Sequence, residues 1–249
     1  MVQFDDVPGP RHYRDGFTAL SVAQKTARGV SVYSRHVNRP LGRRVAAAAY
    51  VLRVRPHQVT MLSAVSSAAG LLLIAGPRPS AWSGAAAGMA LALGFVLDSA
   101  DGQLARLTGT SSATGELLDH LLDCGTKLAL HVAVLVAWYR YLDVQGALLL
   151  VPLVFQFVTV LLFFEGTLVG KLRERSSAPV RAQQPPGRGF LAGLALLPVD
   201  HGVLCCSFLV WGAPYVFRVV YVVLLAAHAL ALLTLSRRWI LELAAAEGT

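Results

Sequence analysis

Six apolar stretches, each long enough to cross a bilayer as a helix, fill this chain from about residue 58 to about residue 236. Nothing else in the sequence limits the fold as sharply. Hydrocarbon offers no water to satisfy a backbone N–H or C=O, so a spanning segment must be a helix or part of a closed barrel. Barrel strands alternate apolar and polar residues over about ten positions, whereas these runs are continuous and near 20 residues. The expected spans are about 58–76, 81–105, 113–140, 145–170, 190–212 and 215–236. The fifth is the weakest, because Pro198, Asp200 and His201 interrupt it. The fold class is therefore all-α, a polytopic membrane protein with six transmembrane helices. A composition of 55% hydrophobic and 14% charged residues excludes an ordinary soluble domain.

A net charge of +8 would suggest nucleic acid in a soluble protein, but its distribution points to a membrane instead. Residues 1–57 carry ten Lys/Arg, and between Val30 and Val54 apolar residues alternate with Arg at helical spacing, broken at Pro40. That pattern predicts an amphipathic helix on the membrane surface. The 171–189 connector adds Lys171, Arg173, Arg175, Arg181 and Arg188, and Arg237 and Arg238 close the last span. With the N-terminus in the cytoplasm, all of these fall inside, and only Arg78, Arg140 and Arg218 fall outside. Two regions follow: a basic cytoplasmic segment, 1–57, and a membrane domain, 58–240, with the active site expected at the cytoplasmic side. The first 44 residues hold no apolar run, so no cleavable secretory leader is expected. Cys124, Cys205 and Cys206 form no CxxC pair and read as small buried residues.

Against this background stand four aspartates: Asp98, Asp101, Asp119 and Asp123. An acid near the bilayer centre costs about 2.5–3.5 kcal/mol on insertion scales, so four need an offset. Oxygen-only carboxylate sites suit Mg²⁺, Mn²⁺ or Ca²⁺. Asp98 and Asp101 are i, i+3, and Asp119 and Asp123 are i, i+4, so each pair shares one face of a helix. Two such helices face to face would converge four carboxylates on one cavity.

Around them runs the pattern D-x2-D-G-x2-A-R-x8-G-x3-D-x3-D, matched at every fixed position by Asp98, Asp101, Gly102, Ala105, Arg106, Gly115, Asp119 and Asp123. It resembles the signature of the CDP-alcohol phosphotransferase family of integral membrane enzymes. The resemblance implies transfer of a substituted phosphate group from a CDP-alcohol to an acceptor alcohol, releasing CMP, in phospholipid biosynthesis. It implies two divalent ions, Mg²⁺ or Mn²⁺, on Asp98, Asp101 and Asp119, with Asp123 as base toward the attacking hydroxyl, sometimes while touching metal. Asp98, Gly102, Ala105, Arg106 and Gly115 become candidates for nucleotide contact. The family often has Pro-Asn-x-x-Thr at the first span; here His57 replaces the Asn and Thr60 is kept, as a nucleotide contact or a capping hydroxyl.

The string Gly115-Glu-Leu-Leu-Asp119-His120 is more similar to choline and ethanolamine phosphotransferases than to phosphatidylglycerophosphate synthases. There, a His after the third Asp and a Glu in a later helix are candidate bases, which makes His120 and Glu165 rivals of Asp123. Lys127 fits an i, i+4 pair with Asp123 and, with Arg173 and Arg175, is a candidate for acceptor binding. The donor is expected to be CDP-diacylglycerol, with a CDP-polar alcohol and a lipid acceptor as the alternative. A cation transporter using the same carboxylates is the rival from another class, but it leaves Gly102, Ala105 and Arg106 unexplained. Membrane lipids are the surrounding partners, no nucleic acid is expected, and a homodimer is left open. Gly84-x3-Gly88 reads as ordinary close helix packing.

Overall fold

The computed structural model describes residues 12–22, 30–175 and 188–247, and every regular element among them is helical. Five of the helices are long and apolar enough to cross a membrane. After α1 (Tyr13–Val22), a π-helical stretch (Ser34–Asn38) runs into α2 (Arg39–Val51). The spanning helices are α3 (Pro56–Ala75), α4 (Ala81–Thr108), α5 (Ala113–Tyr141), α6 (Leu150–Arg175) and α9 (Pro214–Glu247).

Local chemistry sets the ends that matter for function. Pro56 opens α3, where a missing N–H costs nothing, and the Gln58 side chain accepts from the Arg55 N–H at 2.9 Å. Gly109 ends α4 with φ +70°, a left-handed conformation that glycine adopts without strain. Three residues on, the Ser112 hydroxyl caps α5 by accepting from the Gly115 N–H at 3.1 Å. This short turn keeps the end of α4 and the start of α5 at the same end of the bundle. Helix α3 packs along both of them. Small residues make that approach close: the Ser63 hydroxyl donates to the Gly94 carbonyl and Ser66 to Ala90, each at 2.8 Å.

Two expectations are revised. The 190–212 stretch is not one helix. It consists of α7 (Arg188–Ala195), a 3₁₀ turn (Leu197–Val199), α8 (His201–Ser207) and a second 3₁₀ turn (Phe208–Val210). Pro198 brings no N–H to a continuing helix. The buried Asp200 carboxylate accepts from the Gly202 N–H at 2.7 Å, which starts α8 afresh. The same carboxylate accepts the hydroxyls of Ser31 and, at 2.6 Å, Ser34. Five long spans are therefore described where six were expected. The second revision concerns the N-terminal helix, whose 23–29 approach lies outside the described residues. Helix passes through Pro40 unbroken, because the wider π turn before it accommodates the ring. Nor does it lie only on the surface: Ala46, Ala47 and Tyr50 are buried with Leu97, Ala100 and Leu104 of α4.

The main core lies further along the spans. Trp138, Phe155, Phe208, Trp211, Phe217 and Tyr221 are fully buried there and pack ring against ring. Gly84 and Gly88 admit the broken segment to this core, since a Cβ at Gly84 would meet the Phe208 carbonyl and come within 2.5 Å of Trp211 Cβ. The close-packing reading of Gly84-x3-Gly88 holds.

Candidate active site

Three of the four aspartates meet. Asp98 and Asp101 from α4 and Asp119 from α5 each offer a carboxylate oxygen, all within 4.8 Å of one another. Asp101 is only 4% exposed and keeps Oδ2 without a hydrogen-bond partner among the described residues. Three mutually repelling carboxylates and an orphaned buried lone pair are what a divalent cation would complete. The donor set, all oxygen and all acidic, fits Mg²⁺ or Mn²⁺.

Asp98 stands between two cavities. The wider cleft, about 280 Å³, is walled by Asp98, Asp101, Gly102, Arg106 and Asp119, with Asn38 and Arg39 facing from the N-terminal segment. It is bipolar, lined by three carboxylates and by the guanidiniums of Arg39 and Arg106. Burial, and after it the neighbouring Arg35, pull the Arg39 guanidinium below its usual range. The narrower cavity, about 20 Å³, has room for a water or a single hydroxyl and is walled by Thr60, Asp98, Asp123, Thr126 and His201.

Asp123 thus opens on the second cavity rather than joining the three-carboxylate group. Lys127 holds it, with Nζ 2.8 Å from Oδ1, and the same ammonium lies 4.7 Å from the centre of the Phe163 ring. Of the other sequence candidates, Gly102 and Arg106 line the wide cleft, and a Cβ at Gly102 would meet only Arg106 Nη1, at 3.5 Å. Ala105 and Gly115 line neither cavity, Gly115 sitting in the exposed first turn of α5. Thr60 does not cap α3, since its hydroxyl donates back to the Pro56 carbonyl at 3.1 Å; the residue lines the narrower cavity.

The rival bases stand elsewhere. His120 lies 3.8 Å from Glu116, with its ring edge-on to Phe163. Glu165 accepts from the Ser236 hydroxyl at 2.6 Å, joining α6 to α9. Arg173 makes a two-pronged pair with Glu242, at 2.9 and 2.8 Å, which also joins those helices. The Arg175 side chain and most of the 171–189 connector lie outside the described residues. Sequence reasoning missed Asn38, Arg39 and His201 as cavity walls. His201 was visible only as an interruption of the fifth span, and the two N-terminal residues carried no signal beyond an amphipathic pattern.

Compared with known families, the model described as CDP-alcohol phosphatidyltransferase matches residues 53–231. No curated protein matches the chain.

Proposed function

This chain belongs to the CDP-alcohol phosphatidyltransferase family, and from that premise we propose that it transfers phosphatidyl from CDP-diacylglycerol to a polar alcohol, releasing CMP. The observation that carries the reading is the junction of two cavities at Asp98, a wide bipolar cleft on one side and a hydroxyl-sized cavity holding Asp123 on the other. The diphosphate has carboxylates for a bridging metal and the guanidiniums of Arg39 and Arg106 within one cleft. The acceptor hydroxyl has one small polar space beside it.

In this reading Asp98, Asp101 and Asp119 hold a divalent metal, which supplies charge neutralisation at the diphosphate when bound. Arg106 pairs with phosphate oxygens, and Gly102 lets the nucleotide lie against α4. Asp123 accepts the proton of the acceptor hydroxyl. That oxygen forms a bond to the phosphorus carrying diacylglycerol, and the bond from that phosphorus to the CMP oxygen breaks. Lys127 fixes the carboxylate's direction. His201, across the same cavity, is placed to touch the incoming hydroxyl. Positive-inside charge supports a cytoplasmic opening, where soluble nucleotides are found. Residues 58–240 then form the catalytic membrane unit, with 1–57 on its cytoplasmic face.

The test is an assay in membranes with labelled CDP-diacylglycerol and a panel of alcohols, reading lipid products and CMP. Product with one of them identifies the acceptor. Failure with every alcohol, but turnover of a CDP-polar alcohol onto diacylglycerol, would reverse the donor assignment.

A further inference from the structure

One wall of the wide cleft lies outside the matched region. The family match begins at residue 53, yet Val30, Ser34, Asn38 and Arg39 face the same space as Asp101, Gly102 and Arg106. This wall is fastened to the rest of the site at three points. The Gln103 amide donates to the Arg39 carbonyl at 3.2 Å. Gly42 lies so close to α4 that a Cβ there would be 2.8 Å from Ser99 Oγ. Asp200, where the fifth stretch breaks, takes the hydroxyls of Ser31 and Ser34. A wall held this firmly can present a side chain with fixed direction.

The side chain it presents is Asn38. It is 3% exposed, and its Oδ1 has no hydrogen-bond donor among the described residues. A buried amide oxygen left without a donor is uncommon and calls for a partner. CDP-diacylglycerol is poor in donors. Its phosphates and ester oxygens only accept, so the donors are the cytosine amino group and the ribose hydroxyls. An amide also has an NH₂ beside its oxygen. Cytosine presents an amino donor next to a ring-nitrogen acceptor, the complement of that pair. Uracil presents the reverse, an oxygen next to a ring N–H.

We propose that Asn38 reads the nucleobase of the donor, its Oδ1 accepting from the cytosine amino group, and so selects cytidine over uridine nucleotides. The inference rests on the reading of the wide cleft as the nucleotide's place. A site built to hydrogen-bond a particular group discriminates strongly against an analogue that leaves its buried polar atoms unpaired.

Direct binding tests it without knowledge of the acceptor. The full chain in detergent micelles with Mg²⁺ is titrated with CDP, UDP and deoxy-CDP. The wild type should prefer CDP over UDP at least about tenfold. Asn38→Leu should lose about tenfold in CDP affinity while UDP affinity changes little, so the preference collapses. Asn38→Ala removes the amide without adding bulk and should give the same result if the Leu variant does not fold. A CDP/UDP ratio unchanged in the variant that folds overturns the proposal. Equal loss for both nucleotides overturns it too, leaving Asn38 a packing residue, and a change confined to the CDP/deoxy-CDP ratio would reassign the oxygen to ribose. A wild type that binds neither CDP nor UDP would instead sink the nucleotide reading of the cleft itself.

Discussion

Lys127 Nζ stands 2.8 Å from Asp123 Oδ1, one turn along α5. The pair sets the fourth aspartate apart from the other three. Asp98, Asp101 and Asp119 instead gather a carboxylate oxygen each within 4.8 Å of one another. Asp123 has a cation of its own and a place on the smaller cavity. Four acids of one motif thus divide by environment into a three-carboxylate cluster and a single carboxylate paired with a lysine.

Asp123→Asn is expected to lower kcat by about 10²–10⁴, the usual size of a lost general base. CDP affinity should stay near the wild-type value, because the three-carboxylate group remains. His120→Ala and Glu165→Gln should leave kcat within about threefold, since neither residue lines either cavity. The readout is kcat and nucleotide affinity for all three. If Asp123→Asn loses CDP affinity as severely as Asp98→Asn, Asp123 is a metal ligand first and not the base.

Chelation should abolish turnover, and Mg²⁺ or Mn²⁺ should restore it. Asp98→Asn, Asp101→Asn and Asp119→Asn should each cost at least about a thousandfold in rate, roughly 4 kcal/mol of barrier. Each removes a charge from the same group, so double variants should lose far less than the product of the single losses. Full activity in excess chelator, or near-wild-type rates in any of the three, would contradict a shared metal site.

Gly84→Ala should destabilise the folded protein by about 1–3 kcal/mol. The added methyl would meet the Phe208 carbonyl and the Trp211 side chain, both buried and neither with room to retreat. Thermal unfolding in detergent measures this. Gly125→Ala is the matched control, because a Cβ there meets nothing within 4 Å. Equal melting temperatures for the two variants would show that the close approach of α4 to the 208–211 turn is not rigid.

Orientation is tested by labelling. In a background lacking Cys124, Cys205 and Cys206, Val180→Cys should react only with a reagent that reaches the cytoplasm, and Pro77→Cys with one applied outside. The reverse pattern would put the acidic end of α4 and α5 on the side where CDP-alcohol synthesis has no nucleotide supply.

What the sequence determined by itself is what local periodicity and spacing can carry. Continuous apolar runs demand helices in lipid, so the all-helical membrane class was legible. The i, i+3 and i, i+4 spacings place aspartates on helix faces wherever those helices go. The eight-position pattern pointed to the family that the family model then matched. Only the tertiary structure decided that the fifth stretch breaks at Asp200, that Asn38 and Arg39 wall the cleft, and that Asp123 shares the narrower cavity with Asp98 and not the wide cleft with all three companions. Each of these depends on partners far away in the chain. Asp200 gains its acceptor role from Ser31 and Ser34, which lie 169 and 166 residues earlier. Helical periodicity fixes which face a residue occupies, but not what packs against that face. The N-terminal segment's basic, amphipathic pattern suited a membrane surface equally well; only the packing of its small residues, Gly42, Ala46 and Ala47, against Leu97, Ser99 and Leu104 of α4 decides that it is buried against the bundle.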